Sequence, residues 1–390
     1  MAKHSYKTRI IKGTKYYYDR IYISKDALTG TWKYKDIYAH SIAELKSKKN
    51  SLLTDINNGI DIKNKDSFGD FFENWLFSVC FADKKISTIE RYEGLFRNYI
   101  LPSPLMNIKL NKLDSFIVQK FINSLVDNST SVSTINMILK ILKPALKYCY
   151  HQGLINKNIS DSIIVPKDHL TVKQKKIKAF SLDEQKSFLK AIDTNKNKLL
   201  FTFLLGTGLR IGEALALTWE DIDFDENTVS IYKSVKRVSK IINKKRQPSE
   251  ILVQTPKSQS SIRTVPIPYS IAKQLKIYKD NQKVFKKSSN IGFTDLNLVF
   301  CTDFGTYIDA NNLNKSLKRI LKNNSLPIKN IHSLRHSYAC RLIEKGYEAV
   351  VIQKLLGHAD ISTTINKYGY VFDEYKKQII LSIDDLFVYA

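Results

Sequence analysis

The sequence predicts a multidomain α+β protein: a small N-terminal sheet plus helix, an all-helical unit, and a mainly helical unit that carries a small antiparallel sheet. Three observations carry this. The chain has 390 residues, too many for one ordinary domain and suited to two or three. Its hydrophobic share of 43% is enough for several packed cores. Apolar residues follow a strand-like pattern near the N-terminus, a helical one through the middle, and a mixture beyond.

The first unit is expected over residues 1–64. Segments 14–24 (TKYYYDRIYIS) and 31–39 (TWKYKDIYA) are rich in aromatic and β-branched residues, which favours strands. Asp26 and Gly30 lie in a plausible hairpin loop between them. Ser41 followed by Glu44 has capping-box spacing and opens a helix through Leu45, Leu52, Leu53 and Ile56. The first fifty residues hold twelve Lys or Arg against four acidic residues, with eight Tyr or Trp interleaved. Such a sheet suits a DNA groove if its aromatics are exposed, and is a plain solvated surface if they form its core.

Residues 66–162 read as all-helical. Phe68, Phe71, Phe72, Trp75 and Leu76 recur at helical spacing, followed by helices over 88–100, 113–126 and 131–151. Pro102 and Gly153 supply stops. Residues 163–178, lysine-rich and containing Pro166, read as an exposed linker.

The third unit spans 179–390. Ser181 and Glu184 repeat the capping spacing, and Leu199–Leu205 leads into Gly206-Thr207-Gly208-Leu209-Arg210, followed by an expected helix over ALALTWEDID. Strands are expected over 229–242, 250–255 and 263–267, with 258–261 as a hairpin tip, then helices over 270–280 and 310–322. The tail from Tyr375 has Ile379, Ile380, Ile383, Leu386 and Phe387 at near-helical spacing.

Lys and Arg total 62 against 37 Asp and Glu, a formal charge of +25. That balance points to a polyanionic partner, nucleic acid before membrane. Cys80, Cys149, Cys301 and Cys340 lie far apart with no CxxC pair, the pattern of free thiols in a reducing compartment rather than a zinc site. No apolar run reaches 18 residues and no signal core opens the chain, so a soluble, cytoplasmic protein without membrane attachment is expected.

The residues suited to chemistry come in order. Arg210 follows a glycine pair, where a guanidinium can offer paired donors to a phosphate or bridge to Glu213. Lys257 lies in a stretch, 229–264, with nine Lys or Arg and one acidic residue, a good finger for a DNA groove. His332 and Arg335 share a helical face by i, i+3 spacing, while the adjacent His336 is set aside as pointing elsewhere. Gly357 should end a helix and leave His358 in the loop, ten residues before Tyr368. A phenol ordinarily titrates near pH ~10, so it attacks phosphate at neutral pH only where nearby cations favour the phenolate.

The ordered set TGLRIGEALAL, TPKSQSSIRTVPIP, HSLRHSYA, LLGH and STTINKY resembles the tyrosine recombinases, similar to integrases of temperate phages and conjugative transposons. The resemblance runs from Phe180 to Tyr375. The unit 66–162 resembles the family's core-site-binding domain and residues 1–64 its three-stranded arm-binding domain. Residue by residue, it implies Arg210 and Arg335 as a phosphate clamp and Lys257 as donor to the leaving 5′ oxygen. His332 and His358 then support proton transfer and phosphate binding, and Tyr368 is the nucleophile. Where many relatives have tyrosine–x–histidine, this chain has Tyr368-Gly369-Tyr370, which leaves Tyr370 as a rival hydroxyl.

The implied reaction cuts and rejoins DNA through a 3′-phosphotyrosyl link, with no ATP, metal or other cofactor. The implied partners are duplex attachment sites of core and arm type, a homotetramer in the synaptic complex with the tail docked on a neighbour, a host DNA-bending protein and an excisionase. On DNA the protein would be nucleoid-associated. Two other readings share parts of the pattern: a type IB topoisomerase, and a non-catalytic DNA-binding regulator.

Overall fold

A computed structural model describes residues 6–25, 30–57, 66–165, 179–256, 259–288, 292–366, 368–369 and 371. Lys257, Tyr370, the tail from Tyr375 and most of the expected linker lie outside the described residues. The chain divides into two compact units, Met1–Val172 with Lys240–Gln247, and Lys173–Ser239 with Pro248–Ala390.

The first unit opens with an antiparallel sheet of β1 (Lys7–Ile11), β2 (Thr14–Lys25) and β3 (Trp32–Ala39), in that order. Lys12 and Gly13, at φ 46° and 80°, form the tight turn that pairs Ile11 with Thr14. Residue-level reading misses β1 because KTRII is short and exposed throughout. One face buries Ile21, Ile37 and Ala39 against Leu45 and Leu52 of α1 (Ile42–Asn57). Glu44 N donates to Ser41 Oγ at 3.1 Å, as the capping spacing predicts. The other face carries Tyr22, Trp32 and Tyr34 about half exposed, at 58%, 57% and 47%. Arg20 lies 3.8 Å over the Tyr34 ring and is forked onto Asp36. These aromatics are therefore surface rather than core.

Residues 66–165 are helical. α2 (Phe68–Trp75) starts with a Ser67–Asp70 capping box and runs into a π-type turn, Leu76–Cys80. α3 (Ile86–Leu95) continues likewise through Phe96–Ile100 and stops before Pro102. Asp114 and Ser131 cap α4 (Ser115–Asp127) and α5 (Val132–His151). Phe68, Phe72, Leu76, Ile100, Val118, Ile122, Ile138 and Leu142 interdigitate as one core. Burial of each such side chain is worth about 1.5–3 kcal/mol.

The second unit is built around α7 (Lys198–Thr207), whose Leu200, Phe201, Phe203 and Leu204 are all buried. α6 (Leu182–Ala191) precedes it, opened by the Ser181–Glu184 capping box. α8 (Ile211–Ala214) follows and is short. The expected helix over ALALTWEDID stops there. Thr218 N donates to Asp221 Oδ2 at 2.7 Å, and this side-chain cap turns the chain into β4 (Ile222–Asp223).

The expected strand 229–242 is two strands, β5 (Thr228–Ile231) and β6 (Ser234–Ile242). β7 (Lys245–Gln254) pairs with β6 across Asn243 and Lys244, both left-handed, in a two-residue loop. β8 (Arg263–Pro266) pairs with β5, giving the order β4-β5-β8, while β7 pairs with β6, so β7 and β8 are not the two arms of one hairpin. Helices α9 (Tyr269–Ser288), α10 (Ala310–Asn323), α11 (His332–Glu344) and α12 (Ala349–Leu356) complete the unit. A further helical stretch covers 361–366.

Candidate active site

The site begins where α7 ends. Gly208 takes a left-handed φ of 64°, and a Cβ there would come 2.3 Å from the Tyr338 ring, so a side chain is excluded twice over. The reversal places Arg210 in extended backbone at the start of α8. Arg210 N donates to Glu213 Oε2 at 3.0 Å and its NH1 to Oε1 at 2.7 Å. The bridge to Glu213 that the spacing allows is therefore present. Glu213 is not a surface group, however, being 3% exposed.

The end of α12 organises three guanidiniums. A helix leaves its last carbonyls without internal partners, and its dipole makes that end negative. Here Leu355 O accepts from Arg263 Nε at 2.8 Å, Leu356 O from Arg335 NH2 at 2.6 Å, and Gly357 O from Arg210 NH2 at 3.2 Å. Three successive carbonyls thus hold three arginines from three different elements. Gly357 ends the helix at φ 63°, as its position predicts, and a Cβ there would press on Arg263 NH1 at 2.9 Å. Arg335 NH1 donates in addition to Gly208 O at 2.7 Å, tying the two helix ends together.

His358 follows in the loop and is buried. Its Nε2 lies 3.2 Å from Arg335 NH2 and its Nδ1 2.8 Å from Thr364 Oγ1. A guanidinium can only donate, so Nε2 accepts and, in the neutral ring, Nδ1 carries the hydrogen and donates to Thr364. Asp360 caps the stretch that presents Thr364, with Ser362 N donating to its Oδ1 at 2.8 Å.

Arg210, Glu213, His332, Arg335 and His358 line one cavity of about 450 Å³, with Gln254, Thr255 and Pro256 also on its wall. Lys257 follows Pro256 in the chain, outside the described residues. Tyr368 is not on that wall. It is 1% exposed and packed among Ala339, Ile343, Ile352 and Val371. Its hydroxyl lies 2.8 Å from His336 Nδ1, on the residue that sequence reasoning set aside. His336 also meets His332 edge-on, with ring centroids 4.7 Å apart. The signal was in the spacing, since i, i+4 from His332 puts both rings on one helical face. Arg263 gave no signal, because its role depends on a fold-level contact with Glu213 and α12.

The cavity is lined by cations that perturb one another. Burial first, then the like charges of Arg210 and Arg263, push Arg335 down to about 9, which still leaves it cationic at neutral pH. Burial works to raise the Glu213 carboxyl. Hydrogen bonding and charge from Arg263, with Arg210, outweigh it and hold the group below the usual carboxylate range. Its carboxylate is committed to those two arginines, and Arg335 is instead held by the main-chain oxygens of Gly208 and Leu356. Among the described residues no cluster of three or more His, Cys, Asp or Glu is placed to hold a metal ion, and no helix is long and apolar enough to cross a membrane.

Residues 178–374 match the Phage integrase family, and residues 67–126 match the phage integrase N-terminal SAM-like domain. The chain is 34% identical to a tyrosine recombinase XerC-like protein of Caldanaerobacter subterraneus subsp. tengcongensis, over all of both chains. It is 26% identical to the ICEBs1 integrase of Bacillus subtilis, over 79% of this chain and 80% of that one. In fold it is similar to the Tn1549 transposon integrase in complex with a circular intermediate DNA, with TM-score 0.66 and 20% identity over 80% of this chain and 99% of that one. It is also similar to a lambda integrase dimer bound to a COC′ core site, with TM-score 0.56 and 15% identity over 93% and 95%.

Proposed function

From the premise that this chain belongs to the phage integrase family and is a tyrosine recombinase, an enzyme that cuts and rejoins DNA, we propose how its residues divide that work. Arg210 and Arg335 clamp the scissile phosphate and neutralise the charge that builds on it. His332 and His358 bind the same phosphate and support proton transfer, Lys257 protonates the departing 5′ oxygen, and Tyr368 attacks to form the 3′-phosphotyrosyl link. A free 5′ hydroxyl from the partner duplex then attacks that link and reseals the strand.

One observation carries the reading. Arg210 and Arg335 reach a single cavity from two different elements and are anchored on successive carbonyls at the end of α12, with His332 and His358 on the same wall. Tyr368 is buried off that wall, so cleavage follows movement of the segment that carries it.

The DNA partner is the duplex at the ends of a mobile element. The relatives from ICEBs1 and from Tn916 of Enterococcus faecalis, the latter 29% identical over 63% of this chain, support that choice. We assign residues 1–64 to arm-type sites, 66–162 to core sites, 163–178 to a linker and 179–390 to catalysis. The exposed aromatic and basic face of the N-terminal sheet supports the first. Four protomers around two duplexes, with each tail docked on a neighbour, complete the assembly, and a host DNA-bending protein and an excisionase set its direction. Truncation after Asp373 should abolish synapsis and spare DNA binding.

The test is a nicked suicide duplex carrying the junction of the element that encodes the enzyme. Wild type should be trapped covalently, Tyr368→Phe should bind without trapping, and Tyr370→Phe should still trap. Loss of the adduct in Tyr370→Phe with retention in Tyr368→Phe would move the nucleophile to Tyr370.

A further inference from the structure

We propose that Ser234 is a further ligand of the scissile phosphate, its hydroxyl donating to one non-bridging oxygen, a role that rests on Arg210 and Arg335 being the phosphate clamp. Ser234 opens β6 and lies on the cavity wall with both arginines. Its Oγ faces the turn that carries Arg210, since a Cβ on Gly212 would come 2.7 Å from it. That hydroxyl has no hydrogen-bond partner among the described residues.

The chain on either side of Ser234 is pinned. Lys233 Nζ lies 2.8 Å from Asp221 Oδ2 and donates to Thr218 Oγ1 at 2.8 Å, and Tyr232 donates to the other Asp221 oxygen. The Asp221 side chain is 1% exposed and that of Lys233 19%, so water competes little for this pair. Val235, on the other side, is buried in the core of the unit. Gln254, Thr255 and Thr363 are also on the wall, but Val253 and Thr255 beside Gln254 are exposed, as is Ser362 beside Thr363. Ser261 and His332 have contacts of their own. A donor fixed in advance needs no reorganisation as charge builds in front of it, and that is how such a group lowers a barrier.

A hydroxyl also suits the electrostatics. Another cation would meet the repulsion from Arg210 and Arg263 that Arg335 already feels, whereas a serine adds a donor and no charge. Non-bridging oxygens gain negative charge as Tyr368 bonds to phosphorus, so the hydrogen bond strengthens toward the transition state. The serine O–H bond stays intact throughout, and no proton changes owner at this residue.

The test compares Ser234→Ala with wild type on three nicked suicide duplexes. One has the ordinary scissile phosphate, and each of the others is a single stereoisomer with sulfur in place of one non-bridging oxygen. Sulfur is a weak acceptor, so it silences whichever oxygen the serine holds. On the ordinary phosphate Ser234→Ala should form the adduct about 10- to 100-fold more slowly, with DNA affinity within about twofold of wild type. The same deficit should persist with one sulfur stereoisomer and shrink to about threefold or less with the other. An equal deficit on all three duplexes would make the serine a structural residue and overturn the proposal. So would adduct formation by Ser234→Ala within about threefold of wild type on the ordinary phosphate. Failure of the clamp reading would look different: Arg210→Ala and Arg335→Ala would then form the adduct as fast as wild type, whatever Ser234→Ala does.

Discussion

Arg263 and Glu213 form a two-pronged ion pair inside the second unit, NH2 to Oε2 at 2.9 Å and NH1 to Oε1 at 3.3 Å, with side chains only 7% and 4% exposed. Removing one member of a buried pair leaves the other charge unpaired and costs about 3–5 kcal/mol. Arg263→Met should therefore lower unfolding free energy in urea by about that amount. A loss below about 1 kcal/mol would mean that Arg210 alone can satisfy Glu213.

Acid should weaken the same pair in a defined direction. The Glu213 carboxyl is held below its ordinary value in the folded protein, whereas in the unfolded chain it titrates near ~4.3. The stabilisation is fully present above that unfolded value and is lost as pH falls through the lower folded one. Stability of Glu213→Gln should accordingly fall less steeply than wild type below about pH 4.3, with fluorescence-monitored unfolding as the measurement. Parallel curves would separate Glu213 from the acid limb.

Thr364 should act through the His358 ring. Thr364→Val keeps the shape but removes the acceptor for Nδ1–H, and a buried donor without a partner costs about 1–3 kcal/mol. Suicide-duplex cleavage should drop by about tenfold or more, with DNA affinity unchanged, and Thr364→Ser should recover it. Nitrogen chemical shifts of His358 that stay the same in the valine variant would remove Thr364 from this role.

The N-terminal face should separate binding from folding. Tyr22, Trp32 and Tyr34 are about half exposed and contribute little to the core below them. Trp32→Ser with Tyr34→Ser should change stability by no more than about 0.5 kcal/mol per site. Affinity for arm-type DNA should fall, while cleavage of a duplex carrying only the core site should be retained. Equal loss on both DNAs would place the arm contact elsewhere.

What could be read from the chain without coordinates was whatever is local and periodic. The stripe through Ile135, Ile138, Leu142 and Leu146 specifies α5, and the serine–acid pairs at Ser41 and Ser181 mark helix starts. The pairing of β8 with β5 was not legible, because nothing near Arg263 indicates a partner so far back in the chain. β7 starts at Lys245 rather than at residue 250 and runs through Pro248, which is tolerated at the edge of a two-stranded sheet. In the site, the shared face of His332 and Arg335 followed from helical spacing, and both do line the cavity. His336 was lost by treating adjacency as opposition. The buried position of Tyr368 was beyond sequence reasoning, since an aromatic at that spacing is equally consistent with core and with cavity.

The main-chain anchoring of Arg263, Arg335 and Arg210 on Leu355, Leu356 and Gly357 makes the site tolerant and brittle at once. Point substitutions at Leu355 or Leu356 cannot delete a carbonyl, so drift in those side chains leaves the anchors in place. Inserting or deleting a single residue in α12 would instead rotate every anchor by about 100° and shift it by about 1.5 Å. All three cations would lose registration together, though no arginine had been touched. Length variation among descendants of this gene should therefore be absorbed elsewhere, and α12 should behave as a fixed-length ruler.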